Sequence, residues 1–355
     1  MKAAILEKLS APLVINDLIL PPSLDCGQVL VEVHSSGICG AQLREICGAK
    51  GEDPHLPHLL GHEGGGVVVA TGPGVRYVRK GDHVVMHWRK GLGIEASFPM
   101  YLREGIPKEG YKTWNKVGAG SVTTFNEYAV VSENRLTTID KDIPFDVAAL
   151  MGCAVTTALG IVNNEAQLKI GQSVIVMGCG GVGLNVIQGA AMVSANPIIA
   201  VDIYSSKLVF AEAFGATHTV LNEGSSEELF MQLSSIIGSK GVSVFIDCTG
   251  IGELVDMGLN LVSSGGRLIL VGQPSCDTDF IFHSMTKHYC GKIIMDSQGG
   301  LTNPSIDIPR YLNLYKTGRL KLEEFITHRF PLKDVNEAVR VAGTGLAGRV
   351  MLEMV

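Results

Sequence analysis

The sequence lacks the marks of three environments. Its eight cysteines, at 26, 39, 47, 153, 179, 248, 276 and 290, are scattered without the spacing of a disulfide framework. The start, MKAAILEKLS, has only four consecutive apolar residues before Glu7, too short a run for a secretory leader. The stretch from Ile170 to Val201 carries no charged side chain, yet Asn185, Gln188, Asn196, Pro197 and a cluster of glycines interrupt it. A spanning helix needs about 20 predominantly apolar residues without such breaks. A cytoplasmic, reducing location is the expectation. The net charge of −6 gives no reason to expect nucleic acid as a partner. With 46% hydrophobic and 18% charged residues over 355 positions, the chain reads as globular and long enough for two domains.

What is present centres on Ser173–Lys207. The apolar run Val174-Ile175-Val176-Met177 suits a buried parallel strand. G-x-G-x-x-G follows as Gly178, Gly180 and Gly183, then a helix-period segment from Leu184 to about Ser194. A second apolar strand, Ile198–Val201, ends in Asp202, 19 positions after Gly183. In a βαβ unit of this kind the glycines let the backbone approach a pyrophosphate, held by the free N–H groups of the helix N-terminus. The acid accepts hydrogen bonds from the adenosine ribose. A carboxylate also repels a 2′-phosphate, and Ile203-Tyr204 stand where an arginine would accommodate one, so NAD is favoured over NADP.

Ahead of this unit the chain is β-rich. Ala3–Leu6, Leu13–Leu18, Gln28–Ser36, Gly66–Thr71, His83–His87 and Asn126–Val131 read as short strands between Gly/Pro turns. The segment 87–122 is a long insertion containing Arg89, Lys90, Arg103, Lys108, Lys112 and Lys116 against Glu95, Glu104 and Glu109. It reads first as a solvated surface excursion and second as a basic site for an anionic substrate. FDVAALMGCAVTTALGIVNN has helical periodicity through Cys153. After Asp202, helices near 207–214, 227–237 and 254–261 alternate with strands at 217–220, 244–246 and 267–271, the signature of a doubly wound parallel sheet. Helices near 308–317 and 333–341 and a strand at 349–353 close the chain and are expected to return to the first domain.

Gly37-Ile38-Cys39-Gly40, Gly61-His62-Glu63-x-x-Gly66, Gly81-Asp82-His83-Val84, the Cys153 helix, the Gly178 turn and Arg349-Val350 occur in that order. Together they resemble the zinc-dependent medium-chain alcohol dehydrogenases, in a bacterial branch without the structural zinc lobe. The resemblance implies an α/β protein with an irregular, β-rich GroES-like catalytic domain at 1–153, completed by 298–355. A Rossmann NAD-binding domain would occupy 154–297. It implies Cys39, His62 and Cys153 as ligands of one catalytic zinc, the Cys₂His set of alcohol dehydrogenases. Glu63 would be a catalytic acid beside the histidine, a transient ligand or a structural neighbour. Along the cofactor it implies Gly178, Gly180, Gly181, Val182, Gly183, Asp202, Ile203, Lys207, Thr249, Val271, Gly272, Gln273 and, at the pyrophosphate, Arg349. The implied reaction is hydride transfer between NAD(H) and a small alcohol or carbonyl, in a homodimer or homotetramer.

Three departures qualify it. Where relatives place a proton-relaying Ser or Thr stands Ala41, followed by Gln42 where Asp is common, and Arg44 replaces a relay histidine. Gln42 is expected to orient the histidine ligand through its amide oxygen. Ala41 keeps open a second reading, an NAD- and zinc-binding family member without catalysis. No cysteine lies between Cys47 and Cys153, so a four-cysteine structural zinc site is not expected. The stretches HWRKG, VTTFNEYAVVSENRLT and ITHRFPL resemble a branch associated with polyol or sugar-derived substrates.

Overall fold

A computed structural model describes residues 1–104, 115–283 and 285–354. The chain divides into two compact units, Met1–Cys153 with Asn303–Val355, and Ala154–Thr302.

In the second unit the central apolar runs become strands buried on both faces. Six parallel strands lie in the spatial order His218–Leu221, Ile198–Asp202, Val174–Met177, Val242–Asp247, Val262–Leu270 and Ile293–Asp296. Helices Gly181–Met192, Ser205–Ala213, Ser226–Ile237 and Gly252–Leu261 connect them. Ile175, Ile199, Val201, Phe245 and Leu268 are fully buried in its core. Strand order reverses beside Val174–Met177, so the crevice at the carboxyl ends of Val174–Met177 and Val242–Asp247 is the ligand position of such sheets. The strand Ile293–Asp296, which the sequence does not announce, is the exposed edge. None of its residues is buried, so its apolar run carries no core signature.

The first unit is built on a seven-stranded sheet. Gln28–Gly37 is central, pairing with Glu63–Thr71, Tyr128–Ser132 and Arg349–Glu353. The strand containing Glu63 begins three residues before the expected Gly66. Gly64-Gly65-Gly66 suggests a loop by propensity, but a Cβ at 65 would collide with the Phe145 carbonyl and one at 66 with the Glu32 carbonyl. Close backbone approach, not looseness, places glycine there.

A small closed barrel completes this unit, formed by Lys2–Leu6, Val14–Ile19, Met100–Arg103, Lys116–Gly118 and His58–Leu59. Two of these strands come from the 87–122 insertion, so its base is no solvated excursion. Tyr101 and Val117 are fully buried, and the Val130 N–H donates to the Tyr101 hydroxyl at 2.9 Å. Arg103 pairs with Glu7 at 2.7 Å and Lys90 with Glu95 at 3.0 Å. Residues 105–114, with Lys108, Glu109 and Lys112, lie outside the described residues. Among the described residues no helix is long and apolar enough to cross a membrane.

Candidate metal centre and cofactor-binding turn

Three distant segments of the first unit bring Cys39, His62 and Cys153 together. Cys39 occupies the N-cap of helix Gly40–Ile46, and His62 directly precedes the strand Glu63–Thr71. Cys153 departs from the sequence reading: the helical pattern breaks into Phe145–Leu150 and Ala154–Gly160, and Cys153 ends the turn between them. Gly152 explains the break. A Cβ there would lie 2.6 Å from the Glu63 Cα, so only glycine lets this turn pack on the strand beside His62.

One ligating atom from each of the three residues lies within 4.8 Å of the others, and the two sulfurs are 3.9 Å apart. The neighbouring Cys153 is the largest influence on the Cys39 thiol, holding it well below its usual range; burial opposes this, and His62 and Arg349 add to it. The His62 Nε2 is buried with no hydrogen-bond partner. Two buried sulfurs and an orphaned imidazole nitrogen fit a thiophilic, nitrogen-accepting cation such as zinc. With three protein ligands such a site keeps a position for substrate.

Gln42 is the neighbour of this trio, though not as expected. Its Oε1 accepts the Cys39 N–H at 2.9 Å, and its Nε2 lies 2.7 Å from His62 Nδ1. Capping claims the amide oxygen and turns the nitrogen to the ring. A metal on Nε2 requires the proton on Nδ1, which Gln42 accepts only by exchanging its two ends and losing the cap.

Glu63 is fully buried and ion-paired with Arg349, itself 6% exposed. The Glu63 Oε2 and Arg349 Nε are left without partners. No spacing in the sequence signals this pair, whose members stand 286 positions apart. Thus Arg349 lies in the first unit against the acid adjoining His62.

The residues of the second unit expected along a cofactor converge on its switch point. Gly178 has φ +93°, and a Cβ at 183 would collide with the Gly178 carbonyl. Gly180 caps helix Gly181–Met192 with no side chain, and a Cβ on it would meet nothing within 4 Å. The uncapped N–H groups and the open cradle beside Gly180, Gly181, Val182 and Gly183 fit a pyrophosphate. The Asp202 carboxylate accepts the Cys179 N–H at 2.7 Å and the Tyr204 N–H at 2.9 Å, tying turn to strand. Ile203 is 59% exposed. Burial lowers the Lys207 ammonium, with Asp202 opposing. Burial also pushes the Cys179 thiol up to about 12, so it is no nucleophile.

Asp247 is the organiser that sequence reasoning missed. Fully buried, it accepts the Thr249 hydroxyl at 2.6 Å and the Gly250 N–H at 2.9 Å. Its backbone carbonyl receives the N–H groups of Val271 and Gly272, next to Gln273. Burial raises its carboxyl despite these bonds. An Asp-x-Thr-Gly run after an apolar strand is an Asx-turn signal and was the available clue.

Two family models match the chain: an alcohol dehydrogenase GroES-like domain over residues 25–141 and a zinc-binding dehydrogenase over residues 181–316. A probable S-(hydroxymethyl)glutathione dehydrogenase of Schizosaccharomyces pombe is 30% identical, covering 99% of this chain and 97% of that protein. Alcohol dehydrogenase 1 of Pisum sativum matches at the same identity and coverage. The fold is also that of the benzyl alcohol dehydrogenase of Acinetobacter calcoaceticus, with TM-score 0.86 and 24% identity over 100% of this chain and 99% of that one.

Proposed function

The chain belongs to the zinc-dependent medium-chain alcohol dehydrogenases, and from that premise we propose that it interconverts a polyol or sugar-derived alcohol and its carbonyl with NAD(H), using one zinc held by Cys39, His62 and Cys153. It is an NAD-dependent alcohol oxidoreductase of two parts, a GroES-like domain and a parallel-sheet cofactor domain. The observation that carries the site assignment is the convergence of the three ligating atoms within 4.8 Å.

Zinc held there would supply Lewis acidity toward a substrate oxygen, and NAD would accept or return the hydride. The two cysteines provide anionic ligands, and Gln42, with its amide ends exchanged, would accept the His62 Nδ1 proton and orient the ring. Arg349 neutralises Glu63, so that this acid does not add a third negative charge to the ligand set. Asp202 and the Gly178–Gly183 turn would hold the adenosine ribose and the pyrophosphate. The 2′-phosphate of NADP would face the Asp202 carboxylate. Ala41 offers no hydroxyl to carry the substrate proton, so water or another hydroxyl would carry it. The dehydrogenase names of the relatives support catalysis over the non-catalytic alternative. The absent cysteines support a single zinc, with no structural one. The edge strand Ile293–Asp296, where Ile293 and Ile294 are exposed, supports a homodimer or homotetramer.

Replacing Cys39 tests this reading. Cys39→Ser is expected to lower NAD-linked alcohol turnover by roughly a thousandfold or more, because the Lewis acid contributes several kcal/mol to the transition state. NADH binding, followed by fluorescence, is expected to persist. Full turnover by metal-free protein would overturn the assignment.

A further inference from the structure

Asp247 is fully buried at the carboxyl end of strand Val242–Asp247, and every group that meets its carboxylate is a donor. The Thr249 N–H and hydroxyl reach Oδ1 at 3.1 and 2.6 Å, and the Gly250 N–H reaches Oδ2 at 2.9 Å. The Thr249 hydroxyl itself accepts the Ile251 N–H at 3.2 Å, so its own proton points at Asp247. A proton on Asp247 would find no acceptor among these partners, so the geometry is that of the ionised carboxylate. Burial raises the carboxyl by more than the donors lower it, so this is a costly charge. Among the described residues no cationic side chain acts on it. The start of helix Gly252–Leu261, just beyond the turn, supplies only about half a positive charge. Glu63, equally buried, has Arg349.

The strand register says where that charge lies. Across the carboxyl edge of the sheet Val201 pairs with Met177, Met177 with Asp247, and Asp247 with Leu270. Asp202 directly follows Val201, and the Gly178 turn directly follows Met177. A dinucleotide with its adenosine ribose at Asp202 and its pyrophosphate on the Gly178 turn therefore runs its other half toward Asp247. That half ends in nicotinamide, which carries one positive charge when oxidised and none when reduced.

We propose that Asp247 discriminates between the two redox states of the cofactor, its buried carboxylate favouring NAD+ over NADH through space. This rests on the reading above that the turn binds NAD. The turn alone does not call for the charge, because asparagine forms the same kind of side-chain turn. Only the oxidised ring answers the uncompensated carboxylate. Hydride acceptance removes that attraction, so NADH leaves more readily than NAD+, which suits oxidation of the alcohol.

The test is calorimetric: Kd for NAD+, NADH and ADP-ribose on the zinc-loaded protein. In Asp247→Asn the ratio of the NAD+ Kd to the NADH Kd should rise roughly tenfold, the order of a charge–charge interaction at an effective dielectric of about 20. ADP-ribose, which lacks the ring, should follow NADH. Thr249→Val disturbs the same turn but keeps the charge, so its affinities for NAD+ and NADH should fall together. Wild type supplies a check that needs no variant to fold: it should bind NAD+ more tightly than benzamide adenine dinucleotide, the uncharged isostere. A parallel loss of NAD+ and NADH affinity in Asp247→Asn would make Asp247 purely structural and overturn the inference. Equal affinity of wild type for NAD+ and the isostere would do the same. An unchanged ratio in Asp247→Asn with ADP-ribose and NADH still bound would sink this inference and leave the cofactor reading standing. Failure of wild type to bind any of the three would overturn both.

Discussion

The proposed cofactor turn takes most of its residues from one stretch, 174–207, and offers backbone N–H groups for binding. The metal centre gathers side chains from positions 39, 62 and 153, and its buried ion pair joins residues 286 positions apart. The turn is therefore set by local geometry: a left-handed Gly178, a Cβ-free Gly183 and a carboxylate at Asp202 that ties the loop back to its strand. The metal centre exists only when the first unit has packed. Damage to the turn should be local and steric, whereas damage to the metal centre should appear as lost stability or lost metal.

The buried ion pair gives the largest expected effect. Arg349→Met leaves Glu63 charged and uncompensated in the interior, which should cost about 3–5 kcal/mol in urea unfolding. The double variant Glu63→Gln, Arg349→Met should recover most of that loss. If the double variant is no more stable than Arg349→Met, the pair is not the tie described. Gly183→Ala probes the other region. Its Cβ meets the Gly178 carbonyl, and such overpacking costs about 1–3 kcal/mol. NADH affinity should fall while zinc content stays at the wild-type level. Loss of zinc in this variant would mean that the two regions are not separable.

How much of this can be read from residues follows the same division. Val174–Val201 declares its strands and helix through burial pattern and glycine spacing, and Asp202 through its position. Neither period nor spacing joins Cys39 to His62 and Cys153; only the order of motifs resembling a known family does so. The Cys153 turn was hidden because Ala148–Leu159 keeps an apolar helical pattern across the break at Gly152. The barrel strands Met100–Arg103 and Lys116–Gly118 were hidden because they are short and lie in a segment of mixed charge. Arg349 is a basic residue in an apolar strand, and sequence alone does not reveal that its partner is Glu63.

Two smaller effects sharpen the comparison. Gln42→Glu supplies a carboxylate that accepts both the Cys39 N–H and a protonated His62 Nδ1, so zinc affinity should rise about tenfold in chelator competition, the lower end of effects seen for such partners. Weaker zinc binding would contradict the assigned role of Gln42. Glu95 anchors the insertion through Ser121, Asn134 and Arg135. Burial raises its carboxyl, but the bonds from Asn134, Lys90, Arg135 and Ser121 prevail and bring it to about 2 from an ordinary 4.5. Because the folded value is depressed, this stabilisation is present above pH 4.5 and is lost as pH falls toward 2. Glu95→Gln should flatten the melting temperature across that window. A slope identical to wild type would remove Glu95 as its source.

Zinc content per chain, measured by elemental analysis on protein purified without chelators, tests the assembled centre most directly. One zinc in wild type and none in Cys153→Ser, with NADH binding unchanged, is the result predicted here. Full zinc occupancy in Cys153→Ser, or no zinc in wild type that still binds NADH, would contradict it.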